Sequence, residues 1–371
     1  MTIPLTDLAA QHAEINDEVR EGLELVFAAT AFIGGPAVGR FEQAYAAFIG
    51  VEHCVGVANG TDALELALRA VGVRPGGEVI LPANTFIATA EAVSRIGASV
   101  VLVDVDPVHL LIDPAAVAAA VGPRTEAIVP VHLFGQVAPM EQILKIAADI
   151  GVPVVEDAAQ SQGARRNGRS AGSFGMAAAT SFYPGKNLGA AGDAGGVTTD
   201  QADVARTVRV LSAHGSARKY EHEVIGFNSR LDTVQAVVLE AKLRRLAGWN
   251  ERRREAASYY GQLLARVDGV RPPMSAPGND DIWHLYVVQV DDRDHVLGEL
   301  NAAGVGAGIH YPTPVHLTAA YTHLGLGAGA FPVTEAAAGR ILSLPMYPHI
   351  THAQQEYVVE SLVASLAVGS R

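Results

Sequence analysis

The run VPVVEDAA, residues 152–159, is apolar up to Val155 with no polar alternation, and it ends on two carboxylates, Glu156 and Asp157. A strand without alternation is buried on both faces, which in a water-soluble chain points to the interior of a parallel α/β sheet. Asp157 then stands at the carboxyl end of such a strand, where open α/β sheets place their ligands. A carboxylate buried there without a partner would rise in pKa until it neutralised, so it calls for a cation, a donor or a helix start to cap. Capping of the following AAQSQG segment and ligand binding both remain open for Asp157, and Gln160 would lie on the same side of that segment.

Working outward, comparable runs recur: EVILPA at 78–83, SVVLVDVD at 99–106, AIVPVHLFG at 127–135, AAATSF at 177–182 and GGVTTD at 195–200. Helical patterns alternate with them, and GTDALELALRAVG places Leu64, Ala67, Leu68 and Val71 on one stripe of a helix opening at Gly60 and Thr61. The fold class expected is therefore α/β with a mainly parallel sheet. From Leu231 to about Val267 the helical pattern is nearly unbroken, roughly 50 Å at ~1.5 Å per residue, a length suited to bridging two domains. After RPPMSAPGNDD, a smaller α/β unit follows: a strand in WHLYVVQV, a helix to about Ala303, a strand in GAGIHY and a last helix from Thr351, with Gln354 completing a capping box. The division expected is a large domain over residues 1–245 and a small C-terminal domain over 246–371.

The chain has 371 residues, 49% of them hydrophobic and 18% charged, with 27 Lys+Arg against 39 Asp+Glu and a net charge of −12. That balance fits a folded globular protein and argues against nucleic acid or an anionic membrane as partner. A bound anion must be held by helix ends and a few placed cations. The single cysteine, Cys54, excludes an internal disulfide and a thiolate metal cluster. With no signal-peptide pattern and no long apolar run, a cytoplasmic location is the expectation.

One lysine, Lys186, sits among the small residues of SFYPGKNLGAAGDAGG, 181–196. Alone it reads as a solvated loop lysine. Its company changes the reading, because pyridoxal 5'-phosphate needs a lysine for its Schiff base, an acid facing its pyridine nitrogen and an anion site for its phosphate. Lys186 and Asp157 supply the first two. Ser181, with Gly60 and Thr61 at a helix N-terminus, supplies the third. Phe86, in PANTFIATA, is placed after a strand where it could stack on a ring or join the core.

These residues, together with FIGGPAVGRFE, NGTDALELAL, VEDAAQSQGA, GFNSRLDTVQA, HYPTPVHL and LSLPMYPHIT, resemble the DegT/StrS-type sugar aminotransferases over nearly the whole chain. The resemblance implies the fold-type I architecture of pyridoxal phosphate enzymes, with a mainly parallel seven-stranded sheet between helices and a smaller C-terminal α/β domain. It implies Lys186 as the Schiff-base lysine, Asp157 on the pyridine nitrogen, Gln160 near the ring hydroxyl, Phe86 on the ring face, and Thr61 with Ser181 on the phosphate. Asn228 would reach the cofactor phosphate of a second subunit, making a homodimer with shared active sites. Some members of the family carry histidine in place of the lysine and are dehydratases, so Lys186 favours transamination, through the pyridoxamine phosphate form and with L-glutamate as donor. The substrate implied is a nucleotide-linked keto sugar, dTDP-3-keto-6-deoxyhexose above the 4-keto isomer or a keto-cyclitol, in deoxyamino sugar biosynthesis. Tyr183, Lys219, Tyr220, Arg230, Tyr311 and His316 are the candidates for contacts with it. A non-catalytic regulator on the same fold is the alternative from the binding class.

Other motifs carry less. GRSAG, 168–172, matches the G-x-S-x-G elbow of hydrolases, but Ser170 follows a polar segment instead of a strand. GVGAG and GLGAG lack the full dinucleotide fingerprint. His349 and His352 form a pair without a third ligand, so no metal is expected.

Overall fold

The computed structural model describes residues 1–368. Its seven principal strands are β1 (His53–Val57), β2 (Glu78–Pro82), β3 (Ser99–Val103), β4 (Thr125–Ile128), β5 (Val155–Asp157), β6 (Ala177–Ser181) and β7 (Gly195–Thr199). β3, β2 and β4 pair in parallel, β5 pairs in parallel with β6, and the isolated parallel bridges Ile128 to Val154 and Val131 to Asp157 join the two groups. The order across the sheet is β3, β2, β4, β5, β6, β7, β1. Only β7 runs against its neighbours, antiparallel to both β6 and β1. Each expected apolar run is a strand here, and its burial on both faces explains the missing alternation. Val79, Ile80 and Leu81 of β2, for example, are fully buried in succession.

Helices Gly60–Ala70, Ile87–Ile96 and Ala202–Ser212 close one side of the sheet with Leu64, Leu68, Val93 and Val208. Helix Met140–Ile150 closes the other with Met140, Ile143 and Ala147. The long helix is Thr233–Leu264, three residues short of the expected limit at its C-terminus. Its first half buries Leu239, Leu243 and Leu246 against Phe41 and Tyr45, and its second half buries Ala257, Tyr260 and Leu264 against Tyr286, Val288 and Leu342.

The C-terminal unit is built on a three-stranded antiparallel sheet of Val270–Arg271, Tyr286–Val290 and Ile341–Leu344. GAGIHY is not one of its strands and contributes a single bridge, Gly308 to Ser343; the partner of Tyr286–Val290 is Ile341–Leu344. A boundary at residue 245 also misplaces the N-terminus: Ile3 is fully buried in the cluster of Tyr260 and Val305, and bridges Val305. An isoleucine finds more apolar area there than on the surface of the large unit. The expected capping box is present, with Gln354 N donating to Thr351 Oγ1 at 3.2 Å and Thr351 N donating to Gln354 Oε1 at 2.9 Å.

Candidate active site

The carboxyl ends of β5 and β6 meet the N-terminus of helix Gly60–Ala70 at a cavity of about 670 Å³. Gly60, Thr61, Phe86, Asp157, Gln160, Ser181, Tyr183, Lys186 and Tyr311 all line it.

Asp157 is held by its backbone on both sides: its N–H donates to Pro130 O at 2.9 Å, and its carbonyl accepts from His132 N at 3.0 Å. Its carboxylate is buried, accepting from Thr89 Oγ1 at 2.8 Å and from Ala159 N at 3.1 Å. Burial raises its pKa, and these bonds with the charges of Lys186 and His132 only partly oppose that. Among the described residues no cation forms an ion pair with it, so a protonated ring nitrogen would satisfy it. The following segment is a turn and not a helix, so the capping alternative reduces to the one bond from Ala159.

Lys186 follows β6 in a tight loop, where its N–H donates to Tyr183 O at 2.8 Å. Gly189 permits this path, since a Cβ there would lie 2.3 Å from Pro184 O. Burial lowers the Lys186 pKa to about 8 against the pull of Asp157. Among the described residues its Nζ has no hydrogen-bond partner. A partly deprotonated amine facing a buried carboxylate is the pairing that imine chemistry requires.

The anion site is built by close approach. Asn59 Oδ1 caps the helix by accepting from Asp62 N at 2.8 Å, which leaves the N–H groups of Gly60 and Thr61 without partners among the described residues. A Cβ on Gly60 would lie 2.6 Å from the Ser181 Cβ, and one on Gly195 would lie 2.3 Å from Asn59 O. Only glycine lets the strand end and helix start converge into one cradle. Asp62 is drawn off it by Ser229 Oγ at 2.8 Å and Arg95 Nη1 at 3.1 Å. Across the cavity Gln160 Oε1 accepts from Phe134 N at 2.7 Å, so its Nε2 faces inward and donates to the Tyr311 hydroxyl at 3.1 Å. The rings of Phe86 and Tyr311 lie 5.0 Å apart, with Phe86 half exposed to the cavity. A donor cradle, a lone buried carboxylate, an amine and an open aromatic face fit pyridoxal phosphate.

Four candidates lie outside this cavity on the exposed surface. Lys219 and Tyr220 sit at the turn between the short strands Ser216–Arg218 and Glu221–His222, with the ammonium 5.1 Å from the ring centre and Tyr220 82% exposed. Arg230 and Asn228 follow, also exposed. His316 is a correction: its side chain is fully buried, its Nε2 meets Glu335 Oε1 at 3.0 Å and its ring packs edge-on to Phe331. A side chain enclosed in that way cannot touch a sugar in this conformation.

Asn59, Thr89, Arg95 and His284 also line the cavity and were not among the sequence candidates, and His310, which lies in HYPTPVHL beside Tyr311, lines it too. Asn59 carried a legible signal as a cap before the helix, and Thr89 lies one turn beyond Phe86. His284 carried none, being embedded in the apolar strand-like WHLYVVQV. Ser170 lies in a two-residue strand paired with Arg165, which is no nucleophile elbow. His349 pairs with Glu14 and His352 stacks on Tyr259, and no group of three metal-ligating side chains occurs among the described residues.

A seven-stranded sheet with one reversed strand, and a lysine and an aspartate converging on a helix N-terminus, define a pyridoxal phosphate-dependent aminotransferase of fold type I. The chain belongs to the DegT/DnrJ/EryC1/StrS aminotransferase family, whose profile matches residues 12–363. It is 46% identical over 364 residues to the erythromycin biosynthesis sensory transduction protein EryC1 of Saccharopolyspora erythraea, covering 98% of this chain and 100% of that one. It is 42% identical over 360 residues to the dTDP-3-amino-3,4,6-trideoxy-alpha-D-glucose transaminase of Streptomyces venezuelae, covering 97% and 95%. The crystal structure of S. venezuelae DesV superposes with a TM-score of 0.96 at 42% identity, covering 98% of both chains. Among the described residues no helix is long and apolar enough to cross a membrane.

Proposed function

We propose that this enzyme moves an amino group from L-glutamate to the keto carbon of a dTDP-linked 3-keto-6-deoxyhexose, as a step in deoxyamino sugar biosynthesis. The observation that carries the reading is the single cavity that brings Lys186, Asp157 and the Gly60–Thr61–Ser181 cradle together. The name of the S. venezuelae relative supports the sugar class and the position of the keto group.

Pyridoxal phosphate, when bound, supplies an aldehyde for imine formation and a ring that accepts electrons from the reacting carbon. Lys186 is the residue that bonds to it and, once released, carries the proton between substrate carbon and cofactor. An amine with a pKa near 8 is well matched to that work at neutral pH. Asp157 keeps a proton on the ring nitrogen, since a carboxylate already short of partners gains most from a cationic neighbour. The Gly60 and Thr61 N–H groups with the Ser181 hydroxyl bind the phosphate, Gln160 donates toward the ring hydroxyl, and Phe86 covers the ring face. Tyr183 and Tyr311, on the cavity wall, contact the sugar. Lys219, Tyr220, Arg230 and Asn228, exposed in one copy, act in the cavity of a second copy, with Asn228 on its cofactor phosphate.

Two measurements test this. The purified protein with added pyridoxal phosphate should show a visible absorbance band that Lys186→Ala loses; a colourless wild type would sink the assignment of Lys186. Turnover of glutamate with dTDP-3-keto and dTDP-4-keto sugars should favour the 3-keto compound. A preference for the 4-keto isomer overturns the position, and no turnover with either favours the regulatory reading that the name of EryC1 suggests.

A further inference from the structure

His284 lines the cavity, and its orientation is set by a chain of buried amides behind it. Asn250 Nδ2 donates to the backbone carbonyl of Gln162 at 2.9 Å, so Asn250 Oδ1 must be the atom that accepts from Asn187 Nδ2, also at 2.9 Å. Asn187 Nδ2 donates as well to Ile282 O at 3.1 Å. A main-chain carbonyl can only accept, so the amide of Asn187 is fixed with its Oδ1 toward His284 Nδ1, 3.2 Å away. That oxygen also can only accept. The proton of the imidazole is therefore on Nδ1, and Nε2 carries a lone pair. Burial drives the imidazole well below its usual pKa, and the charges of Lys186, Arg253 and His310 press the same way, so the ring stays neutral.

Among the described residues Nε2 has no partner, and neither does Lys186 Nζ. The loop that carries the relay also carries the lysine, because Asn187 follows Lys186 directly. Asp157, whose charge acts on the amine, already accepts from Thr89 and Ala159, and under the proposed function its remaining capacity serves the ring nitrogen. We propose that His284 is a positioning residue for Lys186: once a ligand fills the cavity, its Nε2 lone pair, presented by the Asn187–Asn250 relay, accepts a hydrogen bond from the Lys186 amine and holds it facing that ligand. A neutral acceptor orients the amine without protonating it, so the nitrogen lone pair stays available for bonding. The proposal rests on Lys186 being the reactive lysine, and it is independent of which keto sugar is aminated.

The test compares cofactor-free wild type, His284→Phe and His284→Gln with two probes. Pyridoxamine phosphate has an amine where pyridoxal phosphate has the aldehyde, so its affinity reports the cavity without a reaction at Lys186. With pyridoxal phosphate, the Lys186 nitrogen forms a C=N bond to the aldehyde carbon, one water leaves, and the visible band appears. His284→Phe should keep wild-type circular dichroism and pyridoxamine phosphate affinity yet form the band about tenfold more slowly, the size of one lost hydrogen bond. His284→Gln, whose Oε1 can accept, should recover most of the rate. A wild-type rate in His284→Phe overturns the proposal. So does a parallel loss of pyridoxamine phosphate affinity, which makes His284 a wall of the cavity and no more. A wild type that never forms the band overturns the reading of Lys186, and the proposal with it, whereas a normal wild type with an unaffected His284→Phe overturns the proposal alone.

Discussion

Lys186 can take up an aldehyde only as the free amine, and its depressed pKa sets where that happens. The rate of band formation in the cofactor-free protein should rise with pH through about 8 and level off above it. For an unperturbed lysine the rise would continue to roughly 10.4. Stopped-flow absorbance across that range decides between them. Gly60 makes a sharper demand. Gly60→Ala sets a Cβ against Ser181 where the backbone of β6 has little room to give, so it should destabilise the protein by about 1–3 kcal/mol and weaken pyridoxamine phosphate binding. Thermal unfolding and a fluorescence titration report the two effects separately. At this scale the sequence was most readable where chemistry and secondary structure coincide. Asp157 ends a strand, Gly60 opens a helix, and Lys186 stands in a loop of small residues. It was unreadable where a site residue sits in apolar text, as His284 does, or where a distant partner decides its fate, as Glu335 decides that of His316.

The helix Thr233–Leu264 is the element that ties the C-terminal unit to the large sheet, and Arg253 is its fastener. Fully buried, its Nη1 donates to Trp283 O at 3.1 Å and to Met346 O at 3.0 Å, and among the described residues no carboxylate forms an ion pair with it. Burial lowers its pKa to about 9. Arg253→Leu leaves two buried carbonyls unpaired and should cost about 3 kcal/mol, read as a lower urea midpoint. Helix existence was plain from periodicity, while its end depended on packing against Tyr286 and Leu342. The short strand Ile341–Leu344 was missed for the opposite reason. Three apolar residues and a serine after a glycine and an arginine carry no period long enough to read, and only pairing with Tyr286–Val290 defines them.

As a whole molecule, the proposed function calls for a dimer whose sites each take residues from two chains, and this can be checked by mixing. Lys186→Ala and Asn228→Ala subunits should each be impaired alone. Combined in equal amounts, they should regain about a quarter of wild-type turnover, because half the dimers are mixed and one of two sites in each is intact. No recovery, in a sample shown by ultracentrifugation to have exchanged, places Asn228 in its own subunit's site. The sheet was legible as a set of parallel strands, but the reversal of β7 was not. GGVTT reads alike in both directions, and the pairing of β1 with β7 is a long-range fact that no local pattern encodes.

That same pairing has a consequence during synthesis. Val57 meets its partner only when Gly195 has been made, and at ~5–20 residues per second β1 must wait roughly ten seconds or more outside the ribosome. Through that interval its apolar flank and both of its edges are open to other chains, so the reversed strand that completes the cradle is also the last strand of the large sheet to be made and to cover it.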